Sequence, residues 1–214
     1  MKPRTDPFLA YVAVFHLAWV AWPFVVYPRL VAIDEATLTY ALLNISLRLL
    51  LWVAPVVVYL CQVDHVDPVE YLRMSTNRRL GIKVALCATA LNVAGSIVRF
   101  GVPHPTLESV TWNSVLGTSF LIGFIEEIPY RGFMLRKFTE RLGSWPANLL
   151  TSLLFVCIHI PGWVALHVLT VERVVTIFVF AVTMSAFVWY SESLWASIVA
   201  HSANDCLSVI FFHR

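Results

Sequence analysis

Two adjacent glutamates and an arginine stand within an apolar stretch of the chain, where charge is costly. Glu126 and Glu127 follow Ile125, and Arg131 comes four residues after Glu127. Residues four apart share one face of a helix, and the order with the acid first favours an ion pair. Glu126 lies about 100° further around the helix and cannot share this arginine as easily. We therefore expect Arg131 to neutralise Glu127 and Glu126 to be the carboxylate available for chemistry.

A proline follows the two glutamates directly in the same stretch. Pro129 has no N–H and disrupts the helical hydrogen bond to the carbonyl of Ile125. Broken helices at membrane depth line polar cavities or pack against protein. The sequence therefore predicts a kinked helix that opens a cavity beside the glutamates.

Two later apolar stretches also carry ionisable side chains. His159 follows Phe155 by four residues, and Asp205 follows His201 by four residues, so each pair shares a helix face. At about 1.5 Å per residue, all four candidate groups lie roughly 12–20 Å from one end of their segments: Glu126, His159, His201 and Asp205. This common depth predicts one buried site near the middle of the membrane.

The composition explains why these few charges are informative. The 214 residues are 59% hydrophobic and 13% charged, with a mean hydropathy of +0.76. Soluble domains carry roughly 25% charged residues, so the composition excludes an ordinary soluble enzyme and a disordered regulator. The net charge of +2 also argues against a nucleic-acid partner. We expect an integral membrane protein surrounded by the lipid bilayer.

The elements that must position the site are long apolar segments separated by turn residues. Seven can be drawn, at about 8–27, 38–61, 80–100, 109–135, 146–164, 173–190 and 194–212. A helix needs about 20 apolar residues to cross a bilayer. The prediction is an all-α, polytopic membrane helical bundle with about seven transmembrane helices. It forms a single integral membrane domain over residues 1–214.

Lysine and arginine set the orientation, because cytoplasmic loops carry an excess of both. Nine fall on the side of the N-terminus: Lys2, Arg4, Arg73, Arg78, Arg79, Lys83, Arg136, Lys137 and Arg141. Four fall on the opposite side: Arg29, Arg99, Arg173 and Arg214. We therefore expect a cytoplasmic N-terminus. Arg48 lies inside a predicted span, and we expect it to pair with an intramembrane carboxylate.

Three short patterns together resemble the CPBP intramembrane proteases, the CAAX-protease and bacteriocin-processing family that includes the type II CAAX prenyl proteases. The patterns are Glu-Glu-x-x-x-Arg, Phe-x-x-x-His and His-x-x-x-Asn/Asp, in the order of the family. The residues that match them are Glu126, Glu127, Arg131, Phe155, His159, His201 and Asp205. The resemblance covers a catalytic core at about 110–212. Asp205 stands where many members have Asn.

The resemblance implies an intramembrane endopeptidase of the glutamic type that needs no cofactor. Glu126, together with His159, would activate a water, and His201, assisted by Asp205, would stabilise the oxyanion. Supporting roles would fall to Glu127, Arg131 and Phe155. The substrate would be a membrane peptide or protein, and the sequence leaves open whether it is prenylated. We expect a multi-pass protein of a prokaryotic plasma membrane.

Three alternatives stay open. The first is a zinc-dependent intramembrane metalloprotease that uses the same residues, with His159, His201, Asp205 and Glu126 as candidate ligands. The second is a non-catalytic membrane scaffold or immunity-type protein that keeps the cavity to bind a peptide. The third is an ion or proton carrier, because intramembrane ionisable groups can form a relay. Loss of activity with a chelator would favour the metalloprotease over the metal-free protease. A peptide-cleavage assay would distinguish a protease from the scaffold and the carrier.

Overall fold

The computed structural model describes residues 6–102, 105 and 110–211, with the exception of the side chains of Arg99 and Phe100. Lys2, Arg4 and Arg214, which entered the orientation count, lie outside the described residues. Throughout the described part of the chain the regular secondary structure is helical, without a strand. This confirms the predicted all-α class.

The helices follow the predicted apolar segments closely. They are α1 Pro7–Leu30, α2 Leu38–Gln62, α3 Pro68–Tyr71, α4 Arg78–Phe100, α5 Asn113–Phe120, α6 Ile122–Glu127, α7 Leu135–Leu142, α8 Ser144–Ala165, α9 Val171–Ser191 and α10 Trp195–Phe211. The predicted fourth segment corresponds to α5, α6 and the π-helical stretch Ile128–Met134. The other six segments each match one long helix.

Five of these helices are long and apolar enough to cross a membrane: α1, α2, α4, α8 and α9. The predicted fourth and seventh segments are outside this set. The fourth is broken into short pieces, and α10 has only 17 residues. A helical membrane bundle is therefore confirmed, while the count of seven spans stays a prediction.

One π-helical stretch of the described chain, Asn113–Phe120, is α5 itself and contains no proline. Three further π-helical turns interrupt the helical stretches, and each lies at or just before a proline. They are Trp22–Val26 with Pro23, Leu49–Val53 before Pro55, and Ile128–Met134 with Pro129. Because proline lacks the N–H that a regular α-helix needs, the backbone widens locally to accommodate the ring. The predicted break at Pro129 is present, directly after the two glutamates.

The chain divides into two compact units, which we call the α8 unit and the α10 unit. The α8 unit comprises residues up to Ala32 and Met134–Val182, and the α10 unit comprises Ile33–Phe133 and Thr183–Arg214. The single domain expected over 1–214 stays a prediction. Each unit has its own packing, and they are described separately.

In the α8 unit, α8 packs against α1 and α7. Asp6 caps α1 by accepting a hydrogen bond from the Phe8 backbone N–H at 2.9 Å. The same carboxylate receives both terminal nitrogens of Arg141, at 2.5 and 3.2 Å. Beside this pair, the rings of Phe8 and Phe138 meet edge to face at 4.9 Å. The start of α1 is thereby tied to α7.

In the α10 unit, α10 packs against α4, α5 and α6, and α2 packs against α5. Asn44 of α2 donates to Asn113 of α5 at 2.8 Å, which joins these two helices by a side-chain hydrogen bond. The N-terminal end of α10 is held by Trp195, whose indole N–H donates to the Met74 carbonyl at 2.8 Å. As a result, α10 is the element around which the rest of the unit is arranged.

Candidate active site

A glycine brings α6 and α10 into close contact. A Cβ atom at Gly123 would lie 2.4 Å from the Ile198 carbonyl oxygen and 2.5 Å from the Ser202 Oγ. Real Cβ atoms do not approach this closely, so only glycine permits the observed packing. The Ser202 hydroxyl also donates to the Phe120 carbonyl at 3.0 Å. Since Ile198 and Ser202 flank His201 in sequence, this contact places His201 beside the end of α6.

Glu127 lies at the centre of the resulting cluster and has no exposed surface. Its Oε1 atom is 3.0 Å from the Nη1 atom of Arg131 and 2.7 Å from the Nδ1 atom of His201. The expected ion pair four residues apart is therefore present. A carboxylate can only accept hydrogen bonds, so Nδ1 of His201 must carry the proton. Glu127 thus fixes the orientation of the imidazole ring.

The other ring nitrogen of His201 faces two further carboxylates. Its Nε2 atom is 3.6 Å from Oδ2 of Asp205 and 4.0 Å from Oε2 of Glu126. Both distances exceed a direct hydrogen bond. The Glu126 side chain is 8% exposed and that of Asp205 is 31% exposed. Glu126, His201 and Asp205 therefore border one small space, and the Asp205 side reaches the surface of the unit.

Two arginines balance these carboxylates. Arg48, at the end of the regular part of α2, interacts electrostatically with Glu126, and so does Arg131. We define the charge cluster as Glu126, Glu127, Asp205, Arg48, Arg131 and His201. With three carboxylates and two guanidinium groups, the cluster is neutral only when it also holds one proton, for instance on His201. A buried net charge is unfavourable, so the arrangement favours binding of that proton.

His159 and Phe155 belong to α8 and are placed by the α8 unit. The Nδ1 atom of His159 donates to the Phe155 carbonyl at 2.8 Å, four residues earlier. The imidazole lies between the rings of Phe155 and Trp163, with centroid distances of 4.9 and 5.5 Å. With Nδ1 holding the proton, Nε2 carries the lone pair of a base. The common depth expected for His159 and the glutamates stays a prediction.

Two asparagines near the site were not singled out by the sequence patterns. Asn92 of α4 and Asn204 of α10 are hydrogen-bonded to each other at 2.7 Å. Asn204 in turn donates to Asp205 at 3.0 Å. Carboxamides in the middle of apolar helices are a signal in themselves, because polar groups at membrane depth need partners. Sequence analysis alone could have noted them but could not have connected them.

Histidine, cysteine and carboxylate side chains are the groups of this chain that could bind a metal ion. In this part of the chain, no group of three or more His, Cys, Asp or Glu side chains is arranged to hold a metal ion. One carboxylate of the cluster, Glu127, is already engaged by Arg131 and His201. The zinc-dependent alternative, with His159, His201, Asp205 and Glu126 as ligands, stays a prediction.

Comparison with known proteins finds a family match over part of the chain. No curated protein and no solved structure matches the chain. The family model described as type II CAAX prenyl endopeptidase Rce1-like matches residues 108–207, a region that contains all seven motif residues. Residues 108–207 are therefore similar to the Rce1-like type II CAAX prenyl endopeptidase family, which confirms the resemblance found in the three motifs.

Proposed function

We propose that the protein is an intramembrane endopeptidase that hydrolyses a peptide bond of a membrane peptide or protein with a water activated by Glu126. The observation that supports it most directly is the convergence of Glu126 and Asp205 on one nitrogen of His201, while Glu127 holds the other. The family match supports the class of reaction. The roles of individual residues are our proposal.

The space between Glu126 and His201 suits a bridging oxygen. Their closest side-chain atoms are 4.0 Å apart, which is too long for a direct bond. A water or a substrate carbonyl oxygen between them can contact both groups. In the proposed reaction Glu126 accepts a proton from the water, and the oxygen of that water attacks the scissile carbonyl carbon. The assisting role of His159 stays a prediction of the sequence patterns.

His201 would then stabilise the tetrahedral intermediate. The proton on Nε2 is donated to the developing oxyanion, and Asp205 orients the ring from the same side. Because Nδ1 stays bonded to Glu127, a protonated imidazole can serve both partners at once. One well-placed oxyanion donor contributes about 10²–10³ to kcat.

Collapse of the intermediate breaks the C–N bond. The proton taken up by Glu126 passes to the leaving amine nitrogen, which yields a free amine and a carboxylic acid that ionises. Glu126 returns to its starting state, so the cycle balances without a cofactor. The charge cluster keeps the same number of protons before and after turnover.

The test is cleavage by purified, reconstituted protein offered membrane peptides with and without a prenylated cysteine. Glu126→Gln should lower kcat by about 10²–10⁴, the range typical of a general base. Glu140→Gln is a matched control, because Glu140 is exposed on α7 beside Arg136. It should leave cleavage unchanged. Normal turnover by Glu126→Gln would refute the proposed role.

Two further arms separate the alternatives. Loss of activity with a chelator, restored by zinc, would replace the glutamate mechanism by a metal-dependent one. Binding without cleavage of every peptide offered would favour the scaffold alternative. Comparison of prenylated and plain peptides decides whether the substrate carries a prenyl group.

We also propose that the N-terminus is cytoplasmic, in the plasma membrane of a prokaryote. On this orientation α2 ends on the cytoplasmic side, and the exposed Cys61 lies close to that end. In a variant that keeps only this cysteine, a membrane-impermeant maleimide should label Cys61 in inverted vesicles and not in intact cells. The opposite labelling would reverse the orientation.

A further inference from the structure

A chain of side-chain hydrogen bonds runs from α4 to the site. The Nδ2 atom of Asn92 donates to Oδ1 of Asn204 at 2.7 Å, and the Nδ2 atom of Asn204 donates to Oδ1 of Asp205 at 3.0 Å. The second carboxylate oxygen of Asp205 lies 3.6 Å from Nε2 of His201. The two oxygens of Asp205 therefore face different partners, an anchor on one side and the imidazole on the other.

The carboxylate fixes the direction of both amides. Because a carboxylate oxygen accepts hydrogen bonds, Asn204 turns its NH₂ group toward Oδ1 of Asp205. The carbonyl oxygen of Asn204 then faces Asn92, so Asn92 must present its own NH₂ group. The remaining oxygen of Asn92 accepts from the Ser96 hydroxyl at 3.3 Å. Only one arrangement of the two amides satisfies every partner.

The hydrogen bond from Asn204 restricts the side-chain rotamers that Asp205 could otherwise adopt. Its side chain is 31% exposed, and an aspartate on a helix has more than one staggered χ1 rotamer. A rotamer that points outward would remove the carboxylate from His201. The bond from Asn204 holds Oδ1 and so favours the rotamer in which Oδ2 faces Nε2.

We propose that Asn92 and Asn204 are positioning residues that hold Asp205 against His201. This inference rests on the proposed endopeptidase function for its kinetic consequence, although the geometry itself does not. It also explains why an aspartate suits position 205 in this chain. Asn204 donates to one oxygen of that side chain, and Nε2 of His201 faces the other oxygen at 3.6 Å. A carboxylate presents an acceptor on both sides, where a carboxamide would turn one N–H toward one of these two groups.

The kinetic test removes the first link. Asn92→Leu replaces the donor by an apolar side chain of similar size and should lower kcat about 10- to 100-fold, the cost typical of losing such an outer partner. KM should stay within a factor of two or so, because Asn92 is proposed to act on orientation alone. An unchanged kcat would overturn the proposal.

Asn44→Leu is the matched control. It removes an Asn–Asn hydrogen bond between α2 and α5, also within the α10 unit, that does not lead to Asp205. Both variants lose one interhelical bond, so both should lower the thermal unfolding midpoint. Only Asn92→Leu should lower kcat in excess of its loss of folded protein. Equal loss of kcat in the two variants would mean that Asn92 is purely structural.

A swap of two residues gives a sharper test. Asp205→Asn alone should lower kcat, because an amide at 205 confronts the NH₂ group of Asn204. Combining it with Asn204→Asp reverses both bonds: the carboxylate at 204 accepts from Asn92 and from the new amide, whose oxygen faces His201. The double variant should recover at least about tenfold in kcat over Asp205→Asn. Failure to recover would contradict the relay.

A spectroscopic readout separates this inference from the proposed function. The ¹⁵N signals of the His201 imidazole, assigned by their loss in His201→Gln, report its orientation and protonation without any turnover. They should shift in Asn92→Leu and stay in place in Asn44→Leu, even if the protein proves to cleave no peptide. If the His201 signals are unshifted in Asn92→Leu, the positioning role is wrong, whether or not the protein proves to be a protease.

Discussion

His201 presents its Nδ1 atom to Glu127 at 2.7 Å, although the two residues are 74 positions apart in the chain. Arg131 approaches the same carboxylate oxygen, at 3.0 Å. The most buried carboxylate of the cluster is therefore not the proposed base. It holds the imidazole through Nδ1, while Glu126, the proposed base, lies 4.0 Å from the other ring nitrogen.

Removal of the Glu127 charge should be among the most damaging single changes. Glu127→Gln leaves Arg131 as a buried cation without its close carboxylate, and breaking such a pair costs about 3–5 kcal/mol. The added change Arg131→Met should recover part of this loss, because no unpaired charge then remains. Thermal unfolding of the two single variants and the double variant in detergent gives the coupling. Additive losses would show that the two charges act independently.

A methyl group at Gly123 should separate α6 from α10. Gly123→Ala drives a Cβ atom into the Ile198 carbonyl and the Ser202 hydroxyl, and overpacking of this kind costs about 1–3 kcal/mol. Gly95→Ala is the control, since a Cβ there meets nothing within 4 Å. Exchange of glycine for alanine at that helical position should be neutral or stabilising. Equal unfolding midpoints for both variants would contradict the close contact.

Loss of the imidazole at 201 should affect the chemical step. His201→Gln should lower kcat by about 10²–10³ with little change in KM, since the proposed donor acts on the oxyanion and not on the bound substrate. His16→Gln is a suitable comparison, because His16 lies in α1 with its Nδ1 atom 2.7 Å from the Val12 carbonyl and is given no role in the proposed reaction. Steady-state kinetics of the two variants should differ sharply. A rise in KM with kcat intact would instead assign His201 to substrate binding.

The tie between α1 and α7 should be sensitive to acid. Arg141, chiefly through its hydrogen bond, holds the pKa of Asp6 below its ordinary value of 3.8. Because the folded-state pKa is the lower one, the stabilisation is present at neutral pH and is lost as pH falls below that ordinary value. The unfolding midpoints of wild type and Asp6→Asn should differ at neutral pH and converge in acid. A gap that widens in acid would contradict the pairing.

The helical segments and the Glu127–Arg131 pair could be predicted because both depend on local spacing. Apolar runs and turn residues gave segment ends within a few residues, and residues four apart on a helix meet whatever surrounds them. The break at Pro129 likewise follows from the missing N–H of one residue. Each of these three features depends only on residues that are close in sequence, so it can be predicted without knowing which helices are in contact.

The contacts between helices could not be predicted in the same way. Periodicity assigned Glu127 to Arg131 alone, whereas the structure adds His201 from a helix far along the chain. The sequence positions of Asn92 and Asn204 do not indicate that their side chains meet. Which helix faces pack together depends on close approaches between helices, such as that at Gly123. Equal depth in the membrane is a weaker constraint than contact. The depth estimate reduced the number of candidate site residues, but it did not show which of them are in contact.

The order in which the charges meet has a consequence for biosynthesis. The ribosome translates Arg48, Glu126, Glu127 and Arg131 well before α10. Glu127 can therefore pair with Arg131 as soon as their helix forms, whereas His201 is added last. Until α10 docks, the nascent protein holds a largely compensated set of charges and lacks the proposed oxyanion donor. A ribosome-bound or truncated chain would therefore be unable to cut peptides, and hydrolytic competence would be withheld until the last helix of the site has inserted.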